Sequence, residues 1–310
     1  MGTTATAFGL DIASDAELSF LDGASTMPSG RELSVSVQPE GSARAGWPED
    51  SALICDERTP DGGVNFRIES HPDSGYLISG PEYGAHLLSA DGSHLTCFPE
   101  GLDEGAWQRL LIAQVLPFAA LLHGLEVFHA SAVVKDGEAI AFLGPSRSGK
   151  TSLALELCGR GALFMADDVL AVAVREERLI ANPGSPVAGV DRELSPSRDG
   201  ASEERVVAVN ARERMVRMAG AAEPAPLGAL FFIDRHADGP ERPTFTPSTD
   251  AQMLLAATFN FVLATPARLL GLLDVCSLAA QLRVELIAAG LGVSTSQLAD
   301  AIEQRLRSPR

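Results

Sequence analysis

The feature that most restricts the fold of this chain is an eight-residue segment, Gly-Pro-Ser-Arg-Ser-Gly-Lys-Thr, from Gly144 to Thr151. It matches the pattern GxxxxGK[ST] at every fixed position. The pattern requires a buried strand before it and a helix after it, because backbone N–H groups and the helix N-terminus then surround an anion together. Residues 139–143 are uniformly apolar and residues 152–157 are good helix formers, so both flanks meet this requirement.

We therefore expect this loop to hold the phosphates of ATP together with Mg²⁺. Lys150 would reach the β- and γ-phosphates, and the Thr151 hydroxyl would bind the metal ion. An ordinary glycine-rich turn is the plain alternative, and the strand and helix on its two sides argue against it. The candidate nucleotide-binding residues are Gly144, Pro145, Ser146, Arg147, Ser148, Gly149, Lys150, Thr151 and Ser152.

Two adjacent acidic residues, Asp167 and Asp168, follow a predicted strand at residues 162–166. A kinase needs one carboxylate to hold the metal ion and another to take the proton of the attacking hydroxyl. Like charges side by side also raise the pKa of one carboxyl, which suits a base. An acidic turn after a strand is common, but its position behind the loop and helix favours the catalytic interpretation.

His129 lies on a predicted strand at residues 128–134, ahead of a hairpin turn at residues 135–137. Taken alone, a single histidine on a strand is more often a half-buried structural residue than a catalytic one. His123 has a simpler interpretation as the C-terminal cap of a helix.

The net charge of −17 argues against nucleic acid or an anionic membrane as the main partner, because proteins that bind phosphate backbones normally present a basic face. Residues 110–122 and 261–273, the most apolar stretches, are too short or interrupted to span a bilayer. The four cysteines form no CxxC pair. With no signal peptide recognisable, the sequence predicts a cytoplasmic protein.

The pattern of the first part, residues 1–102, predicts a β-rich domain with loops at residues 41–50 and 59–63. Its strands are expected at residues 5–12, 32–37, 64–69, 75–78 and 94–98. Residues 103–310 are predicted to form an α/β domain that begins with a helix capped by Asp103, kinked at Pro117 and ending near Leu122.

Further along, a Pro-, Gly- and Ser-rich stretch at residues 183–202 predicts a mobile loop, and an apolar run at residues 227–234 predicts a buried strand. Three helices are expected at residues 249–263, 266–289 and 295–306. Ser294 and Gln297 form a capping-box pattern at the start of the last one.

The stretch from His129 to Asp168 resembles the catalytic core of the HPr kinase/phosphorylase family. The resemblance lies in a histidine ahead of a hairpin, the loop that ends at Thr151, a helix ending in Arg160-Gly161, and the Asp167-Asp168 pair. Residues 8–12 and 128–133 are more similar to the HPr-kinase-like serine kinases linked to peptide modification.

This resemblance implies an HPr-kinase-type P-loop fold related to phosphoenolpyruvate carboxykinase. It also implies that Asp168 is the general base, that Asp167 and Asp168 lie by the metal ion with Thr151, and that His129 lies near the transferred phosphate. The acceptor would be a serine of a peptide or protein, and relatives assemble as homo-oligomers, although no feature of this sequence requires it.

The sequence also departs from the family pattern. No Glu-x-Arg-Gly-type segment occurs in residues 182–207, where only Asp191, Glu193, Glu203 and Glu204 are unassigned acids. The later basic loop is not recognisable either, with Arg212, Arg214 and Arg217 as its candidates. The resemblance therefore does not extend to phosphorylase activity or to HPr as the substrate.

Two other functions stay open at this stage. A small-molecule kinase could use the same loop, because the loop determines the phosphate donor and not the acceptor. A non-catalytic ATP-binding regulatory protein would bind nucleotide without turnover.

Overall fold

The computed structural model describes residues 2–192, 206–210, 213–219, 223–248, 251–259 and 265–308. An eight-stranded sheet occupies the first hundred residues, with strand order β1-β2-β3-β8-β7-β6-β5-β4. Its strands are β1 (Thr4–Ala7), β2 (Leu10–Ser14), β3 (Glu32–Val37), β4 (Ala52–Arg58), β5 (Val64–His71), β6 (Gly75–Gly80), β7 (Gly84–Leu88) and β8 (His94–Phe98).

The predictions for β3 and β8 are confirmed to the residue, and those for β5 and β6 are confirmed with longer ends. These strands were predictable because apolar and polar residues alternate along them. In β3, for example, Leu33 and Val35 are buried and their neighbours in the sequence are polar. The single strand predicted at residues 5–12 is wrong. The chain reverses there at Phe8 and Gly9, both with positive φ, and β1 pairs with β2 as a hairpin. The sequence pattern also missed β4 and β7.

His86 is a fully buried residue of β7 whose ring centroid lies 6.3 Å from that of Trp107. Burial lowers its pKa to about 4, and the Tyr83 backbone opposes this only in part. The unfolded chain therefore binds more protons than the folded one between pH 6.5 and 4.

We predict that the free energy of unfolding has its full value above pH 6.5. The protonation of His86 in the unfolded chain should lower it by on the order of 3 kcal/mol as the pH drops toward 4. His86→Phe should flatten this dependence in urea unfolding experiments at several pH values, whereas replacing the exposed His94 should leave it unchanged. An unaltered pH dependence in His86→Phe would contradict the assignment.

A helical segment links the first sheet to the second. It consists of α1 (Glu104–Leu110), a π-helical turn (Leu111–Val115) and α2 (Leu116–Leu122). The predicted cap is confirmed, because Asp103 Oδ1 accepts the Ala106 N–H at 2.9 Å. Where a kink was predicted at Pro117, the helix has a π-helical turn just before it. Proline has no N–H to continue the α-helical hydrogen bonds, so the regular α-helix is interrupted there.

By length and composition alone, this 19-residue segment could cross a membrane, but 67% of its apolar window is buried inside the protein. That burial is typical of a core helix.

A nine-stranded mixed sheet forms most of the rest. Its main strand order is β12-β10-β11-β18-β14-β13-β9, and β20 pairs with both β18 and β19. Its strands are β9 (Glu126–Phe128), β10 (Ala130–Lys135), β11 (Glu138–Leu143), β12 (Leu163–Ala166), β13 (Leu170–Arg175), β14 (Arg178–Asn182), β18 (Ala225–His236), β19 (Thr244–Pro247) and β20 (Arg283–Gly290). A three-stranded sheet beside it has the order β15-β17-β16. It contains β15 (Val187–Asp191), β16 (Val206–Val209) and β17 (Glu213–Arg217).

The hairpin turn predicted between β10 and β11 is confirmed, with Asp136 and Gly137 in left-handed conformations between the paired Lys135 and Glu138. Two predictions nearby are wrong. The strand expected at residues 128–134 is broken at His129, so that β9 and β10 pair with different neighbours. The stretch expected to be a loop at residues 183–202 contains β15, which is ordered by pairing with β17, and residues 193–202 lie outside the described ones.

The described helices after the loop are α3 (Lys150–Gly159), α4 (Ala251–Ala256), α5 (Pro266–Ala279) and α6 (Thr295–Arg307). The capping box at Ser294 and Gln297 is confirmed, and the buried strand predicted at residues 227–234 is part of β18. The helix predicted at residues 249–263 lies partly outside the described residues. The helix predicted at residues 266–289 is wrong after Ala279, because β20 pairs in parallel with β18.

The first sheet, the α1–α2 segment and parts of the second half share one hydrophobic core. Phe8 and Phe118 belong to it, as do Val169 and Val187 from beyond the loop. The first sheet ends at Phe98, close to the domain boundary expected at residue 102, and that boundary stays a prediction.

Candidate active site

The glycine-rich loop connects the buried end of β11 to the first residue of α3. Gly144 and Gly149 have φ values of +140° and +96°, which L-residues rarely adopt. A Cβ atom on Gly144 would also lie 2.6 Å from the Ile233 carbonyl oxygen on the neighbouring parallel strand β18. Glycine is therefore required here for the chain to turn tightly out of the sheet.

Inside this loop the Lys150 ammonium group donates to the carbonyl oxygens of Gly144, at 2.9 Å, and Pro145, at 3.1 Å. Lys150 is only 6% exposed. Burial lowers its pKa, and the charges of Asp168 and Asp167 oppose that shift. The Lys150 ammonium group is therefore held in the loop by neutral carbonyl oxygens, which attract a cation less strongly than an anion would.

Several donors of the loop are available to a ligand. The Ser148 hydroxyl is buried without a hydrogen-bond partner. Within the described chain, the backbone N–H groups of Arg147 and Gly149 donate to no protein acceptor. An unpaired buried donor such as the Ser148 hydroxyl is costly unless something satisfies it. Together with the two N–H groups and Lys150, it fits a phosphate chain.

Asp167 joins three elements through hydrogen bonds. Its Oδ1 accepts from the hydroxyls of Thr151 and Ser131, each at 2.7 Å, and its Oδ2 accepts the Gly189 N–H at 2.9 Å. Burial and the charge of Asp168 raise the pKa of Asp167 to about 6, against the effect of these hydrogen bonds. Among the residues that the structure describes, no cation forms an ion pair with this carboxylate.

The oxygen atoms around Asp167 suit Mg²⁺. Among the described residues no cluster of three or more His, Cys, Asp or Glu side chains could hold a metal ion. Mg²⁺ does not need one, because it is usually bound through one or two carboxylates, waters and substrate phosphates. Asp167 Oδ1 and Thr151 Oγ1 would be its protein ligands.

Asp168 has a left-handed backbone with φ of +63°, and its carboxylate faces a cation. Its Oδ2 lies 2.6 Å from Arg109 Nη2, and its side chain is 35% exposed. Burial alone would raise the pKa of Asp168, but Arg109, His129 and Lys150 outweigh it and lower that pKa. Of the two carboxyls, the raised pKa therefore belongs to Asp167 and the lowered one to Asp168.

The Nε atom of Arg109 also lies 2.7 Å from Oε1 of Glu213, which is on β17. The sequence interpretation missed both residues. Arg109 is the only charged residue between Ala106 and Leu122, and that isolated charge in an apolar helix was the available signal. Glu213 lies just beyond residues 182–207, the segment in which the family resemblance places a later glutamate.

The other sequence candidates have different surroundings. His129 lies between β9 and β10, where its backbone N–H donates to the Ala257 carbonyl at 2.7 Å. Desolvation and the charge of Lys150 lower the pKa of His129, and the charge of Asp168 opposes this shift. The N–H of the next residue, Ala130, donates to the Asp168 carbonyl at 3.1 Å, which places the His129 backbone beside Asp168. His123 is the C-terminal cap of α2, as expected. Arg217 binds Asp22 at 3.1 Å in the first half of the chain.

Arg214 lies on β17 and Asp191 at the end of β15. Glu193, Glu203, Glu204 and Arg212 lie outside the described residues. The structure thus brings Lys150, Thr151, Asp167, Asp168 and His129 together at one end of the loop.

A cavity of about 10 Å³ lies against the two aspartates, with Phe8, Arg109 and Met215 among the residues that line it. This volume is about that of one water-sized probe.

No protein-family model matches this chain, and no curated protein matches it. Among solved structures it is similar to the Hpr(Ser) kinase/phosphatase from Coxiella burnetii, with 14% identity. The match covers 58% of this chain and 93% of that chain, with a TM-score of 0.31. This likeness is a distant one at the level of the fold.

Proposed function

We propose that this protein is an ATP- and Mg²⁺-dependent kinase that transfers the γ-phosphate to a serine hydroxyl of a peptide or protein. One observation carries the proposal: the Thr151 hydroxyl at the start of α3 is bonded to Asp167, and the next residue, Asp168, interacts electrostatically with Lys150 at the loop. The residues that we propose as phosphate-binding loop, metal ligands and base would therefore share one site.

In this mechanism each side chain has one task. Lys150 and the loop N–H groups would hold the phosphates. Thr151 and Asp167 would hold Mg²⁺, which would offset phosphate charge when bound. Asp168 takes the proton of the incoming hydroxyl while the hydroxyl oxygen bonds to the γ-phosphorus. At the same time the bond between the γ-phosphorus and the ADP oxygen breaks. Positioning and charge stabilisation supply most of the acceleration. His129 adds a donor near the transferred group.

A non-catalytic nucleotide-binding protein is the second candidate, and the Arg109–Asp168 contact favours it. A carboxylate held 2.6 Å from a guanidinium, with a lowered pKa, is a weak base until that contact loosens. Measuring ATP consumption over many turnovers separates the two functions, because a pure binder gives no ADP.

The test of the kinase proposal is transfer of labelled γ-phosphate to a panel of serine peptides and a matched panel of hydroxyl-bearing metabolites. Peptide labelling supports the proposal, and labelling of metabolites alone would replace it with a small-molecule kinase. A cytoplasmic location and a homo-oligomer remain predictions, tested by fractionation and by light scattering.

Thr151→Val tests the metal ligand. Removing the hydroxyl should lower transfer by about 10²-fold and raise the Mg²⁺ concentration needed for half-maximal rate. Thr151→Ser keeps the hydroxyl and should restore most of both values. Equal Mg²⁺ dependence in all three proteins would show that Thr151 does not bind the metal ion.

A further inference from the structure

Two arginines with the same charge lie directly opposite each other on the β13–β14 hairpin. Arg175 and Arg178 are cross-strand partners, and both are exposed. Between them Glu176 and Glu177 form the turn with φ values of +49° and +58°, a conformation that non-glycine residues adopt at a cost. Like charges facing each other also destabilise a strand pair. This hairpin end is therefore unfavourable on its own.

Both arginines line a cavity of about 410 Å³ that lies between the β1–β2 turn, this hairpin and the start of β18. A third arginine, Arg31, is close by. Burial and the positive charge of Arg175 lower its pKa, and its Nη1 is buried without a hydrogen-bond partner. Three guanidinium groups are thus gathered in a protein whose net charge is −17.

The nearby carboxylates do not neutralise this cluster. Within the described residues, Arg175 and Arg178 form no ion pair, although Glu176 also lines the cavity. Among the described residues Asp11 forms no ion pair with Arg31 and acts on it only through its charge. The Asp11 oxygens accept the N–H groups of Ser29 at 2.7 Å and Gly30 at 2.8 Å. The positive charge is left for a ligand.

We propose that this cavity, lined by Arg175 and Arg178 with Arg31 beside it, binds a small molecule through a phosphate group. Guanidinium groups bind phosphate oxygens in paired hydrogen bonds, and a dianion would offset the repulsion across the hairpin. The cavity is far larger than a phosphate ion, so it has room for the rest of the molecule.

The cavity adjoins the candidate active site without being part of it. Gly9 lines this cavity, whereas the preceding residue, Phe8, lines the small space beside Asp167 and Asp168. The Phe8 N–H donates to the Pro183 carbonyl at 2.7 Å, which fixes the turn between the two spaces. The proposal does not depend on kinase activity.

The test uses calorimetric titration of the full chain with inorganic phosphate. Lys150→Ala serves as the parent, because the glycine-rich loop can also bind phosphate. Adding Arg178→Gln should raise the phosphate dissociation constant by about tenfold or more. Adding Arg242→Gln, an exposed arginine outside the cavity, should leave it unchanged.

Thermal unfolding provides the second measurement. Without phosphate, Arg178→Gln should unfold at the same temperature as its parent or higher, because like-charge repulsion is removed. Phosphate should then stabilise the parent more than this variant. An unchanged phosphate affinity in Arg178→Gln, a lowered unfolding temperature without phosphate, or equally tight binding of succinate would overturn the proposal.

Discussion

Lys150→Ala should lower phosphate transfer by about 10³-fold and greatly weaken Mg·ATP binding. The Lys150 ammonium is held within 3.1 Å of two loop carbonyl oxygens, at the mouth of the loop. The burial of Lys150 removes it from water, so that a phosphate oxygen would be a much stronger partner than either carbonyl. Calorimetry with Mg·ATP and a single-turnover transfer assay measure the two effects separately.

The chain offers a matched control, because Lys135 is its only other lysine. Lys135 pairs with Glu303 at the β10–β11 hairpin, away from the loop. Lys135→Ala should therefore leave ATP affinity and transfer close to those of the natural protein. If Lys150→Ala binds Mg·ATP as tightly as Lys135→Ala does, the loop does not hold the triphosphate and the kinase proposal fails.

Local interactions explain which parts of the fold were predictable from the sequence. The strand, loop and helix around Gly144, the turn at Asp136-Gly137 and the capping box at Ser294 each depend on residues within a few positions of one another. Their conformations follow from glycine at positive φ, from side-chain caps and from apolar periodicity.

Long-range pairing explains the failures. β20 contains good helix formers such as Leu286 and Ala288, and its pairing with β18 and β19 makes it a strand. β15 has no strong strand pattern and is ordered by β17.

In the candidate site, the adjacent acids were visible in the sequence. Their partners were not, because Arg109 precedes Asp168 by 59 positions and Glu213 by 104. The opposite pKa shifts of Asp167 and Asp168 could not be predicted for the same reason. They depend on which of the two carboxylates contacts Arg109, a residue distant in the sequence.

Asp168→Asn should lower phosphate transfer by about 10²- to 10⁴-fold while Mg·ATP affinity stays within several-fold. Asparagine keeps the size of the side chain and cannot accept the hydroxyl proton. Lys150, Thr151 and Asp167, which would hold the nucleotide and metal ion, are unchanged. The same two assays, applied to Asp168→Asn and to Lys150→Ala, should therefore separate loss of chemistry from loss of binding.

Arg109→Gln provides the companion experiment, because Arg109 contributes to the lowered pKa of Asp168. Without that charge the pKa should rise, so the acidic limb of the rate profile should move to higher pH while Asp168 stays present to accept the proton. A structural role for the Arg109 bridge would lower stability without moving this limb. Near-normal turnover in Asp168→Asn, or an unmoved limb in a folded Arg109→Gln protein, would show that the base lies elsewhere and leave His129 as the next residue to test.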